Sequence, residues 1–386
     1  MICDPIRIKY ICPCHYVRTG SLHQNDRTGF VSPPADIAVS QTQTGQRATA
    51  PTNTQCRPSA SRGIACRTES NRRYVKHLIS HRQGSRAAVQ CFDSNAFGDG
   101  AVLGCDFVGQ VTELGDGVTR LVPGDIVAGL IWGGEIPGLG GYSQYSIADQ
   151  RISFKVPDNI SRAEASSVPL AATTAWLALF SEGCLNIDRS KAGTNVLIWG
   201  GSSSVGLYAI QLASIFGLNV ITTCSPRNAD LVRSYGAQHV FDYNDPDVIA
   251  NITKAAPDIQ HVFDTIGDKT SSGQSSQAFG DRPGNLCTVR PGKANTEYVT
   301  ANTHVTDVLV WTAFLKDHGY GEFHWPASQK DHELASELFE RLPSWLAQGQ
   351  VKPNKAKIFH GLESVAQGFQ EYRDGGVSAY KIVYEI

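Results

Sequence analysis

The 386-residue sequence lacks an apolar run long enough to span a bilayer, lacks any sizeable net charge, and lacks regular spacing among its ten cysteines. Each absence excludes a class of protein. With no stretch of about twenty apolar residues there is no membrane-spanning helix to place. The first residues also lack the basic-then-apolar order of a secretion leader, so the cytoplasm is the expected compartment. A formal charge of -2 gives no general attraction for nucleic acid or anionic lipid, and neither is an expected partner. Cysteines scattered over this length do not make a disulfide scaffold, and reduced thiols are expected. The one local cluster, "CPCH" from Cys12 to His15, has no second pair at zinc-knuckle spacing, so no metal is expected there.

The length does allow two domains with substantial cores. From Met1 to about Gln90 the chain is rich in Ser, Thr, Arg, Gln and Pro, as in "VSQTQTGQRATAPTNTQCRPSASRG", and reads as irregular or disordered. The character changes near Ala101. "AVLGCDFVGQVTELG" and "GVTRLVPGDIVAGLI" read as short strands, the second pair separated by a Pro-Gly-Asp turn, and the strand-rich segment continues through "GGYSQYSIADQRISFKVP". A helical pattern starts at Ser161, capped by Ser with Glu164 three residues on, and resumes after an interruption at Pro169. From Asn195, apolar runs alternate with helical segments: "NVLIWG", "VGLYAIQLASIFG", "NVITTCS", "NADLVRSYGA", "HVFDY", "DVIANITKAA", "HVFDTIG". That order predicts an α/β fold with a doubly wound parallel sheet. Helices over "HELASELFERLPSWLAQG" and "SVAQGFQEYRDGG" and a final strand "AYKIVYEI" complete the chain.

"NVLIWGGSSSVGLYAIQLA" joins a strand to a helix through a turn of small residues, which is what a pyrophosphate needs: exposed main-chain N–H groups and room for close approach. Against G-x-G-x-x-G, Gly201 and Gly206 hold the outer positions and Ser203 the middle one; Gly206 would let helix and strand pack closely. At the end of the next strand, where an NAD site usually carries an acid for the ribose, stand Cys224, Ser225, Pro226, Arg227 and Asn228. No carboxylate is there to repel a 2′-phosphate, and Arg227 can pair with one, which favours NADPH. The plain alternative is a solvated arginine beside a helix start. Tyr243, after the third strand, either flanks the adenine or phosphate or only covers the sheet.

These segments resemble the medium-chain dehydrogenase/reductase superfamily. "GCDFVGQVTELGDGVTRLVPGDIVAG" is similar to its GroES-like β-barrel, and "VLIWGGSSSVG", "TCSPRN", "GAQHVFDY" and "HVFDTIG" to its Rossmann half. The resemblance runs from about Asp93 to Ile386 and is strongest to fungal trans-acting enoyl reductases, the stand-alone partners of highly reducing polyketide synthases. It implies a partial GroES-like domain over residues 91–170 and 315–386, incomplete at its N-terminus, and an NADP-binding Rossmann domain over 171–314. It implies a monomer that takes an acyl thioester from the synthase and transfers hydride from NADPH to the alkene.

The resemblance also implies the site residues. Cofactor contacts fall on Gly201, Ser202, Ser203, Ser204, Val205 and Gly206 in the turn; on Ser225, Pro226, Arg227 and Asn228; and on Tyr243, Val289, Arg290, Val377 and Ser378. Substrate contacts fall on Thr174, Ala175, Trp176, Leu177, Ala178, Leu179, Phe180 and Ser181, and on Trp311, Thr312, Ala313, Phe314 and Leu315. Thr174 is the candidate polar contact to the thioester. By pattern alone, Thr173 and Thr174 also suit a helix start, and the aromatic and aliphatic runs favour core helices. After Cys91 only Cys105, Cys184, Cys224 and Cys287 remain, too dispersed for either zinc site of the metal-dependent members, so a metal-free reductase is implied. The family's early Asn-Pro-Val-Asp-Trp-Lys motif is missing before Phe92. The segment before about Gln90 is accordingly read as the product of an altered reading frame or retained intron. A quinone or alkenal reductase and an inactive scaffold remain the alternatives.

Overall fold

A computed structural model describes residues 5–9, 80–81, 97, 100–136, 139–320 and 323–386. All of them fall within one compact unit. "CPCH" and most of the segment before Gln90 lie outside the described residues. In chain order the strands are β1 (Pro5–Lys9), β2 (Ser80–His81), β3 (Asp106–Leu114), β4 (Ile126–Leu130), β5 (Tyr145–Asp149) and β6 (Ser153–Lys155), followed by β7 (Asn195–Trp199), β8 (Asn219–Thr223), β9 (His239–Phe241), β10 (His261–Asp264), β11 (Gly284–Thr288) and β12 (Thr303–Asp307). A hairpin of β13 (His318–Tyr320) and β14 (Phe323–Trp325) comes next, then β15 (Lys355–His360) and β16 (Tyr380–Glu385).

The expected parallel sheet is present, in the order β12-β11-β10-β7-β8-β9. β7 and β8 each have four buried residues out of five, as strands covered by helices on both faces must. The strand order reverses between β7 and β10, so a crevice opens at their carboxyl ends, where such sheets bind ligands. The chain places the "GGSSSVG" turn directly after β7, at that crevice.

A second sheet is antiparallel, β5-β1-β3-β4-β6, and a third is β15-β16-β2. Two expectations need correction here. Residues 5–9 are not irregular: β1 pairs with both β3 and β5, consistent with the alternating isoleucines of "PIRIK". Residues 117–121, expected as a strand before the Pro-Gly-Asp turn, form none. Gln150 accounts for that, because its side chain accepts from the amides of Thr119 and Arg120 and donates to Gly117 O, leaving no ladder to join.

The helix Pro169–Phe180 is buried along all of its twelve residues. Pro169 opens this helix instead of interrupting it, since the first helical position needs no N–H. The short helix before it, Arg162–Ala165, has the full Ser161–Glu164 capping box. Trp176 donates to Leu334 O at 2.8 Å, and the Arg189 guanidinium lies 5.1 Å from the Trp176 ring and 5.5 Å from Phe180 and Phe216. The main core thus joins Pro169–Phe180 to the helices Ser204–Ile215 and Gln329–Ala347. Among the described residues, no helix is long and apolar enough to cross a membrane.

Candidate functional site

Small side chains are a steric requirement in the turn after β7. A Cβ on Gly201 would sit 2.1 Å from Thr222 Oγ1, and one on Gly206 would sit 2.4 Å from Gly200 O. Thr222 Oγ1 is held on Ile198 O at 2.6 Å and Gly200 O is turn backbone, so both positions favour glycine. Ser203 caps the helix, its Oγ accepting from Gly206 N at 2.9 Å. The amides of Ser204 and Val205 head that helix, where an α-helix has no internal acceptor for them. Ser202, partly exposed, completes the turn. Just after β10, Thr265 Oγ1 lies 2.8 Å from both Trp199 O and Ser203 Oγ and 2.9 Å from Gly200 O, tying the turn to the crevice. Thr265 escaped the sequence reading, although it sits in the "FDTIG" assigned to the carboxyl edge.

Around the end of β8, residues from three distant segments meet. Ser225 Oγ is 3.3 Å from Tyr243 Oη; Arg227 donates to Ser378 Oγ at 3.2 Å, and Asn228 does so at 3.5 Å. Arg227 is exposed and pairs with no carboxylate among the described residues. Pro226 is exposed beside it, and Val377, next to Ser378, is buried. The result is a shallow cluster of one guanidinium, one amide and three hydroxyls, on the surface and without a counter-ion.

On the loop beyond β11, Val289 packs against the core and donates its amide to Asp264 O, while Arg290 Nε donates to Gly267 O at 2.6 Å. Both therefore lie at the crevice edge, held to the end of β10. Asp264 itself is fully buried and accepts from Ser271 Oγ, Ser272 Oγ and the amides of Ile266 and Gly267. Burial pushes its carboxyl above the usual range despite those donors.

The substrate candidates separate into two groups. Thr174 is 5% exposed, with its hydroxyl donating to Leu170 O at 2.7 Å. Ala175, Trp176, Leu177, Ala178, Leu179 and Phe180 lie in the main core, and Ser181 donates to Asp331 at 2.6 Å. Trp311 and Phe314 instead join a ring cluster. Trp132 is 6.1 Å from Trp311, 5.2 Å from Phe314 and 4.7 Å from His318, centroid to centroid. Thr312 donates to Leu309 O, Ala313 is buried with its carbonyl against His332 Nδ1, and Leu315 is half-buried. A cavity of about 390 Å³ opens beside this cluster, lined by Asp317, His318, Gly319, His324, Trp325 and Pro326. His318 Nδ1 is 2.5 Å from Glu135, yet burial holds its pKa below the ordinary imidazole value.

Leu170, whose carbonyl takes the Thr174 hydroxyl, donates its amide to Asp106 Oδ1 at 2.6 Å. Asp106 Oδ2 is 2.9 Å from Lys381 Nζ; both residues are fully buried. Lys381 Nζ also donates to Ser167 O at 3.3 Å. The sequence reading missed this ion pair. Its only local signal is a charge inside each of two apolar strands, "CDFVG" and "YKIVY".

Among the described residues, no group of three or more His, Cys, Asp or Glu is placed to hold a metal ion. A dinucleotide phosphate does fit: the helix after the turn begins with amides that have no acceptor within the helix, and the Arg227 cluster offers donors without an acid among the described residues.

Residues 79–158 match the alcohol dehydrogenase GroES-like domain family, and residues 204–316 the zinc-binding dehydrogenase family. A trans-enoyl reductase of Gibberella fujikuroi is 33% identical over 296 residues, covering 74% of this chain and 85% of the relative. A trans-enoyl reductase of Alternaria alternata is 32% identical, covering 74% and 84%. A zinc-type alcohol dehydrogenase-like protein of Schizosaccharomyces pombe is 31% identical, covering 74% and 85%. Among solved structures, the CurK enoyl reductase superposes with a TM-score of 0.60 at 19% identity, covering 81% of this chain and 89% of that one. The quinone oxidoreductase from Coxiella burnetii gives 0.60 at 24% identity, covering 81% and 89%. At these identities the two structures establish the fold alone.

Proposed function

We infer, from the premise that this chain belongs to the medium-chain dehydrogenase/reductase superfamily of oxidoreductases, that it is an NADPH-dependent enoyl reductase. In this reading it reduces the alkene of an acyl thioester carried by a highly reducing polyketide synthase, in secondary metabolite biosynthesis. The relatives named trans-enoyl reductase support the reaction class. One observation carries the cofactor choice: the Arg227 guanidinium and the Asn228 amide meet Ser378, next to the Ser225–Tyr243 pair, and among the described residues Arg227 has no carboxylate partner. An adenosine 2′-phosphate supplies the missing anion.

NADPH, when bound, supplies the hydride. The amides of Ser204 and Val205 would hold the pyrophosphate at the helix start, with Gly201 and Gly206 letting the turn pack closely between strand and helix. Arg227, Asn228 and Ser378 take the 2′-phosphate, and Val289 and Arg290 border the nicotinamide end of the crevice. Thr174 contacts the thioester by turning its hydroxyl hydrogen away from Leu170 O. The acyl chain lies along the half-buried Trp311 and Phe314, which pack on the buried Trp132, with Pro169–Phe180 as the wall behind.

The test is cofactor titration followed by turnover. Arg227→Ala should weaken NADPH at least about tenfold and NADH little, because only the former loses a charge partner. Wild-type protein should oxidise NADPH with crotonyl-type thioesters. Equal losses for both cofactors would reject the phosphate assignment, and turnover with free quinones but not thioesters would move the substrate to the quinone class.

A further inference from the structure

The helix Ser204–Ile215 is buried through Ala213, yet three polar side chains, Ser204, Tyr208 and Gln211, recur along one face at i, i+4 and i+7. All three are spent on the strap 351–354, which leads into β15. Gln211 Oε1 accepts from Lys352 N at 2.7 Å, and its Nε2 donates to Lys352 O at 3.2 Å. Tyr208 Oη accepts from Asn354 N at 3.2 Å and donates to Ser167 O at 3.4 Å. Asn354 Nδ2 donates to Ser204 Oγ at 2.7 Å and to Ser204 O at 3.3 Å.

Asn354 therefore holds the first residue of the helix that ends the phosphate turn. It is 1% exposed, so these bonds act without competition from water. Its own carbonyl accepts from Ser167 Oγ at 3.3 Å, and Ser167 O is the carbonyl that Lys381 reaches. The strap thus connects the turn to the buried Asp106–Lys381 pair. Asn354 Oδ1 is buried with no partner among the described residues. A leucine in its place would have served the core at lower cost, so the amide is kept for what its Nδ2 does.

We propose that Asn354 is a positioning residue for the dinucleotide: it fixes Ser204 at the helix start and thereby sets the amides that grip the pyrophosphate, without touching the 2′-phosphate cluster. The inference rests on the cradle reading of the turn. Two ligands separate its consequences: NADPH, which uses the pyrophosphate contact, and adenosine 2′-monophosphate, which has none to make.

Asn354→Leu should raise the dissociation constant of NADPH about tenfold, the equivalent of one to two lost hydrogen bonds, and leave that of adenosine 2′-monophosphate within about twofold. Ser204→Ala removes the hydroxyl end of the same contact and leaves the Tyr208 and Gln211 bonds to the strap in place. It should reproduce the selective loss, and the double variant should lose no more than either alone. Equal losses for both ligands, or no loss for NADPH in a folded variant, overturn the inference. Wild-type protein that binds neither ligand would remove the cradle itself, whereas wild-type binding with an unaltered Asn354→Leu removes only the role of Asn354.

Discussion

Asp106 and Asp264 are both fully shielded from solvent, one in the antiparallel sheet and one at the crevice of the parallel sheet, and the fold satisfies them in opposite ways. Asp106 is met by an ammonium, Lys381, 275 residues away, and by the Leu170 amide 64 residues away. Asp264 is met by neutral donors alone, all within eight residues of it. Burial raises the pKa of both carboxyls, against those partners. The difference is one of reach. The ion pair fastens three remote segments into one core beside Thr174, whereas the hydroxyl and amide cage only shapes the loop that follows β10. A cage of local donors can adjust to a lost charge, and an ion pair in the core cannot.

Breaking the ion pair gives the largest expected effect. Asp106→Leu or Lys381→Met, each leaving a buried charge unpaired, should lower unfolding stability by about 3–5 kcal/mol. Asp106→Leu combined with Lys381→Met should cost less than the two single losses added together. Urea unfolding of the four proteins measures this, and strict additivity would mean that the pair is not the unit argued for. Asp264→Asn should cost only about 1 kcal/mol, because the hydroxyls of Ser271 and Ser272 can turn from donating to accepting. Its pH signature is specific. A raised carboxyl keeps its proton in the folded protein when the unfolded chain has released it, so stability falls as pH rises from the ordinary carboxylate value through the folded one. Asp264→Asn should remove that part of the slope; an identical slope in the variant would contradict the assignment.

The same contrast explains what the sequence revealed. The parallel sheet was legible because apolar runs such as "VLIW" and "VITT" alternate with helical segments at close intervals, and the glycine turn because its constraint is local. Arg227 and Ser378 lie 151 residues apart, and only resemblance suggested that they share a ligand; spacing carries no such information. Lys381 was hidden for the same reason, inside what reads as an ordinary terminal strand. The missing strand at residues 117–121 had a cause 30 residues downstream, in Gln150, which no local propensity records. Asn354, a lone amide between "KP" and "KAK", becomes informative only once Ser204 is seen beneath it.

A third aspartate sharpens the comparison at its weakest end. Asp125 closes the Pro-Gly-Asp turn, accepting from Val122 N at 3.0 Å and lying 2.6 Å from Lys155 Nζ, whose side chain is 65% exposed. Burial pushes the Asp125 carboxyl up, but the Lys155 ammonium and the Val122 amide outweigh it and hold the carboxyl below its ordinary value. The sign is therefore opposite to that of Asp264. A depressed carboxyl contributes stability above its unfolded value and loses that contribution as pH falls through the folded one. Solvent around Lys155 screens the attraction, so Asp125→Asn should change stability least of the variants considered at neutral pH. Comparing melting temperatures from neutral pH down to about pH 3, the gap between wild type and Asp125→Asn should close on the acid side. A gap that stays constant, or widens in acid, would show that the turn is held by the Val122 bond alone and that the lysine at its mouth contributes nothing.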